Sequence, residues 1–192
     1  MRTNEQRDYT EEFTEWEQQT VSSMPPKLKR FYLSVEQDFG DYFNSWNRYQ
    51  EVNKVLDGIW ISGYEAPRTE SFLRENKISA VLNMAIEIND PKTAGVNLFK
   101  VGIHDGVLTN VGCFEKAAEI INEARTNNEN ILVHCAAGIS RSVTAVISYL
   151  MLYEKMGYGE SIKKIREGRP QASPHHLLVR SLIRDLKSRF LL

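Results

Sequence analysis

Cys135 and Arg141 stand with five residues between them in the run His134-Cys135-Ala136-Ala137-Gly138-Ile139-Ser140-Arg141-Ser142. A cysteine supplies a sulfur nucleophile, and an arginine supplies a planar fork of donors that grips two oxygens of a phosphate at once. The intervening residues, Ala136, Ala137, Gly138, Ile139 and Ser140, are long enough to curl their amides around one such anion as a concave nest. Gly138 permits the backbone angles that the curl demands, and nothing in the loop is acidic. Amides and a helix N-terminus favour thiolate over thiol, so Cys135 is expected to be the nucleophile. His134 is expected to orient the loop through a backbone hydrogen bond, and the Ser142 hydroxyl to donate to the sulfur when it departs. The competing account, a buried structural thiol beside an unrelated surface arginine, requires His134, Gly138 and Ser142 to fall into place by chance.

Cleaving a phosphate ester also requires a proton for the departing oxygen, and a carboxylic acid facing the loop from another strand end would provide it. Asp105, in His104-Asp105-Gly106, follows an apolar run at Leu98 to Ile103 and lies 30 positions before Cys135. Asp90 is its rival, but it precedes Pro91 in a connection before that run rather than after it.

These residues need elements to position them. Ile59-Trp60-Ile61, Ala80 to Met84, Leu98 to Ile103 and Asn130 to Val133 read as strands, the last suited to burial on both faces. Thr69 to Asn76 reads as a helix, and Phe114, Ala117, Ala118, Ile121 and Ala124 recur at helical spacing. Residues 142 to 153 are apolar nearly all round, which predicts a central buried helix ended by Gly157 and Gly159. A short helix over Glu160 to Glu167 is followed by a last one beginning at Ser173-Pro174, with serine as N-cap and proline in the first turn. Its inner stripe is Leu178, Leu182, Leu186 and Phe190, and its basic residues Arg180, Arg184, Lys187 and Arg189 are expected to be solvated. Strands alternating with helices predict an α/β fold, a mostly parallel sheet of about five strands flanked by helices. Cys135 then falls at a strand-loop-helix junction, where open α/β sheets bind ligands.

The run His-Cys-x-x-Gly-x-x-Arg-Ser resembles the signature of the protein tyrosine phosphatase superfamily, and residues 54 to 188 resemble its small dual-specificity branch. The resemblance implies a tyrosine-phosphatase-like fold and hydrolysis through a phosphocysteine. It implies Cys135 as nucleophile, Asp105 as general acid and base, and Arg141 with the loop amides as transition-state binders, without metal or cofactor. Pro174-His175-His176 departs from the Pro-Asn found near the start of the last helix in many members. Asn47-Arg48-Tyr49 echoes a phosphotyrosine-recognition tripeptide but lies too near the cysteine to serve as one. A shallow pocket open to phosphoserine and phosphothreonine follows.

Polarity divides the chain. Residues 1 to 53 form an N-terminal extension expected to be partly flexible, broken at Pro25-Pro26, and partly helical within Leu33 to Tyr49; residues 54 to 192 form the catalytic domain. Lys27-Leu28-Lys29-Arg30 is taken as a solvated basic turn. Lys plus Arg number 24 against 25 Asp plus Glu, giving a formal net charge of -1 and no general attraction to nucleic acid or membrane. The start, Met1-Arg2-Thr3-Asn4-Glu5, carries neither a secretory signal nor a glycine for myristoylation. Cys113 and Cys135 are too few for a disulfide framework. Cys113 is expected to pack as a small apolar residue, and the address to be cytoplasmic, extending to the nucleus. The expected partners are phosphorylated proteins, a protein kinase among them. Two other functions compete: a phosphatase for a phosphoinositide or RNA 5′-phosphate, which the uncharged Ala136, Ala137 and Ile139 disfavour, and a non-catalytic phosphoprotein-binding module, which the full set of reactive residues disfavours.

Overall fold

The computed structural model describes residues 7–8 and 51–190, with side chains for 51–187. The expected helix at Leu33 to Tyr49, the Pro25-Pro26 break, the basic turn and the Asn47-Arg48-Tyr49 tripeptide lie outside the described residues, as do the side chains of Arg189 and Phe190.

Apolar runs too short for helices became strands. These are β2 (Asn53–Leu56), β3 (Ile59–Ser62), β4 (Ile78–Ala85), β5 (Asn97–Ile103) and β6 (Asn130–His134), with a two-residue strand, β1 (Arg7–Asp8), at one edge. The order across the sheet is β1-β5-β4-β6-β3-β2. All neighbours are parallel except the β2–β3 hairpin. The five longer strands match the expected mostly parallel sheet.

Ile131, Leu132 and Val133 of β6 are fully buried, as a strand covered on both faces requires. One face packs on α2 (Cys113–Thr126) and α3 (Arg141–Leu152). The other is covered by the 3-10 turn Ala66–Arg68 and α1 (Glu70–Glu75), which bury Ala66 and Leu73 against Val81, Leu98 and Leu132. Ten residues of α3, Arg141 through Leu150, are buried without interruption. An apolar helix with no polar face can only sit centrally, and each large side chain so buried contributes roughly 1.5–3 kcal/mol. Cys113 is buried at the first position of α2, as its packing role requires.

Two boundaries differ from expectation. Gly157 does not end α3, which stops at Leu152, but begins α4 (Tyr158–Gly168). The last helix, α5 (His176–Phe190), starts later than Ser173-Pro174. The Ser173 N–H is taken by Ile139 O at 2.9 Å, and the His175 N–H by Ser140 Oγ at 3.1 Å. That segment is therefore drawn along the Cys135 loop, and His175 caps the helix instead, its Nδ1 accepting the Leu177 N–H at 3.3 Å. Leu178, Leu182 and Leu186 form the buried stripe as expected. Arg180 and Lys187 are exposed, but Arg184 is half-buried: its Nη2 donates to Thr109 O at 2.8 Å and pairs with Asp185 Oδ1 at 3.0 Å.

Candidate active site

Parallel strands end on the same edge of a sheet, and three adjacent ones lead here into residues of one site. β6 stops at His134 and delivers Cys135; β4 stops at Ala85 and is followed by Glu87; β5 stops at Ile103 and is followed by Asp105. Asn83 and Ser62 lie in register with His134 from either side, so the neighbouring strand ends are level with the start of the loop.

The loop curls because its carbonyls are held one by one. Ala136 O accepts the Tyr64 N–H at 3.2 Å and Ile139 O the Ser173 N–H; Ser140 O accepts both the N–H and the hydroxyl of Thr144 at 2.9 Å. Between them, Arg169 donates from Nη2 to Ala137 O at 3.1 Å and from Nε to Gly138 O at 2.6 Å. No peptide in the described chain is cis, so each N–H opposes the preceding carbonyl. Fixing the carbonyls on the outside turns the amides inward, and the Gly138 N–H accordingly points at Cys135 Sγ, 3.2 Å away. Gly138 adopts φ +68°, and a β-carbon there would fall 2.4 Å from the Ser62 carbonyl. Only glycine fits both the angle and the space.

Cys135 is buried and its Sγ lies 3.4 Å from the Ser142 hydroxyl, the contact expected of a donor to the sulfur. The His134 ring Nδ1 is 3.4 Å from Cys135 O, and its Nε2 donates to Asp90 Oδ2 at 3.0 Å. Asp90 is thereby the buried anchor of His134, with its carboxylate 1% exposed, rather than a rival acid at the sulfur.

Arg141 is clamped from outside. Nη1 and Nη2 each donate to a Glu87 carboxylate oxygen at 2.7 Å, and Nη1 also to Ile103 O at 3.1 Å. Nε is buried without a hydrogen bond, and Asp105 Oδ2 lies 3.5 Å from it. A buried donor costs free energy unless satisfied, and an oxyanion seated in the loop would satisfy this one. Burial alone would weaken the Arg141 charge, but Asp105, Glu87 and the Cys135 sulfur surround it and hold its pKa above the ordinary arginine value. Burial works against ionisation of Glu87 too, yet the Arg141 hydrogen bonds outweigh it and its pKa stays below the ordinary value. Arg169, fully buried, is pushed below the usual arginine value by burial, which the Cys135 sulfur partly opposes.

Asp105 reaches the loop from the end of β5. Its Oδ1 accepts the Gly106 N–H at 2.9 Å and the Ser140 hydroxyl at 3.0 Å. The chain beyond it is pinned to α5, with the Thr109 N–H on Ser181 Oγ at 2.9 Å and the Gly112 N–H on Asp185 Oδ2 at 3.1 Å.

The predicted site residues, His134 through Ser142 and Asp105, are therefore brought together at one strand-loop-helix junction. Glu87 and Arg169 were missed. Glu87 stands two residues past its strand, as Asp105 does, so the strand-end rule that selected one applied to the other. Nothing in the sequence around Arg169 foretells that a fully buried guanidinium would hold the loop from behind.

The family model that describes the catalytic domain of dual specificity phosphatases matches residues 59–186. The chain belongs to the dual specificity phosphatase family. Among similar curated proteins, dual specificity protein phosphatase 22 of Homo sapiens is 33% identical over 125 residues, covering 65% of this chain and 67% of the relative. The Mus musculus dual specificity protein phosphatase 15 is 30% identical, over 65% of this chain and 53% of its own. The crystal structure of DUSP15 superposes with a TM-score of 0.64 at 27% identity, covering 69% of this chain and 85% of that one. The structure of a human tyrosine phosphatase-like serine/threonine/tyrosine-interacting protein gives a TM-score of 0.65 at 25% identity, over 74% and 99%. This dual specificity phosphatase is thus a protein phosphatase of the tyrosine-phosphatase type, acting on phosphorylated proteins, and its mostly parallel sheet with flanking helices is that of the fold.

Proposed function

We propose that this dual specificity phosphatase hydrolyses phosphotyrosine, phosphoserine and phosphothreonine in proteins through a phosphocysteine intermediate. In the first step Cys135 Sγ bonds to phosphorus as the ester P–O bond breaks, and Asp105 gives its proton to the departing oxygen. In the second, water attacks phosphorus while Asp105 takes its proton; the S–P bond breaks, and the Ser142 hydroxyl donates to the leaving sulfur. Arg141 and the amides of residues 136 to 140 bind the equatorial oxygens throughout, already oriented before charge develops. The observation that carries this reading is the ring of outward-tied carbonyls, which leaves inward amides and the unbonded Arg141 Nε around Cys135 Sγ. His134, its ring anchored by Asp90, acts on the loop at Cys135 O.

Proposed substrates include protein kinases phosphorylated on tyrosine and threonine; nucleic acid and membrane are not proposed partners, in keeping with the net charge of -1. The proposed address is cytoplasmic and nuclear, consistent with only two cysteines in the sequence, too few for a disulfide framework.

Peptides bearing phosphotyrosine or phosphothreonine test the reading, and release of phosphate from both is expected. Cys135→Ser should abolish turnover, and retained turnover would refute the nucleophile. Asp105→Asn should lower kcat by roughly 10²–10⁴ with little change in the affinity for substrate.

A further inference from the structure

Ser140 does more than lend an amide to the loop. Its hydroxyl is buried between two groups: it accepts the His175 N–H at 3.1 Å and lies 3.0 Å from Asp105 Oδ1. The backbone donor from His175 occupies one side of the hydroxyl oxygen, which directs the Ser140 proton toward the carboxyl group. Asp105 Oδ1 then accepts two hydrogen bonds, from Ser140 and from the Gly106 N–H at 2.9 Å. An oxygen that accepts twice is a poor place for a proton. Oδ2 accepts neither bond, and it is the oxygen 3.5 Å from Arg141 Nε, on the side where a phosphoryl group would sit.

We propose that Ser140, aimed by the His175 backbone, is a positioning residue that reserves Asp105 Oδ2 for the transferable proton and holds it toward the leaving oxygen. The strap of residues 173 to 175 thereby couples the start of α5 to proton transfer. This rests on Asp105 being the general acid.

Because the role is exerted through the acid, its loss must depend on how much the leaving group needs a proton. Ser140→Ala should lower kcat/KM, which reports the leaving-group step, about tenfold with phenyl phosphate, a poor leaving group, and less than about twofold with 2,4-dinitrophenyl phosphate, a good one. Ser140→Thr, which keeps the hydroxyl, should recover most of the phenyl phosphate rate. Introduced into Asp105→Asn, Ser140→Ala should cost nothing further. Equal losses with both esters, no loss with either, or an undiminished effect in the Asp105→Asn background would each overturn the proposal. Should Asp105→Asn itself leave the wild-type phenyl phosphate rate unchanged, the acid assignment fails instead. Circular dichroism and vanadate affinity of each variant, expected to match the wild type, separate this result from unfolding; a fall in vanadate affinity that accounts for the rate loss counts against the positioning role.

Discussion

Arg141 keeps its charge in a place where burial disfavours it because two carboxylates stand against the guanidinium, and one of them, Glu87, spends both oxygens on it. A bidentate clamp fixes the plane of the fork, so the arginine meets phosphate already oriented. Glu87→Gln should weaken vanadate binding and kcat/KM by about tenfold, or about 1.4 kcal/mol, measurable by inhibition titration. The change should touch phosphotyrosine and phosphothreonine alike, since the clamp contacts neither side chain. A second residue-scale expectation concerns His175. Burial, together with the His176 ring whose centroid is 4.3 Å away, lowers its pKa from the ordinary 6.5, against a smaller opposing effect of Asp105. Its Nδ1 accepts the Leu177 N–H, a bond that protonation removes. Between the lowered value and 6.5 the unfolded chain binds more protons than the folded one. This contribution to stability is therefore intact above 6.5 and is lost as pH falls below it. His175→Asn, which retains a capping acceptor, should show a smaller drop in urea midpoint between about pH 7.5 and about pH 5.5 than the wild type.

At the scale of the element, the loop is a structure held open by its surroundings. Tyr64, Arg169, Ser173 and Thr144 each take a carbonyl, and Gly138 alone turns through φ +68°. Gly138→Ala drives a β-carbon into the Ser62 carbonyl, where backbone and not a flexible side chain must yield. It should destabilise the fold by about 2 kcal/mol or more in urea unfolding and abolish vanadate binding even where the protein remains folded. This part of the molecule was the most legible in the sequence. The residue types of the loop state the anion and the nucleophile, and the short apolar run before it with the all-round apolar run after it state the strand and the helix. What stayed hidden depended on distant pairings. Ser173 looked like a helix cap but gives its N–H to Ile139 O, because the loop competes with the helix for that segment. Arg184 looked like a wet-face residue but binds Thr109 O, because the chain after Asp105 folds back onto α5. Arg169 carries no local mark of burial, since all its acceptors come from other elements or from the loop.

For the whole molecule, the parallel order of β5, β4 and β6 is what converts three separate sequence positions into one site: each strand ends on the same edge and contributes one residue of the site. The sheet could be anticipated from strands alternating with helices, whereas its order, and with it the meeting of Glu87, Asp105 and Cys135, could not be obtained from periodicity. Because the loop joins the central strand to the buried helix, binding there should stabilise the entire domain. Vanadate at about a hundredfold excess over its Kd should add about 2.7 kcal/mol and raise Tm, and Arg141→Ala should lose that increment. The central claim, a covalent phosphocysteine, is tested most directly by trapping it. Asp105→Asn mixed with 2,4-dinitrophenyl phosphate should form the intermediate without needing the acid and then stall for want of a base. Acid quenching and peptide mapping should find one phosphoryl group on the peptide containing Cys135, and none in Cys135→Ser. Turnover by Cys135→Ser, or a phosphoryl group carried by any other residue, would contradict the account.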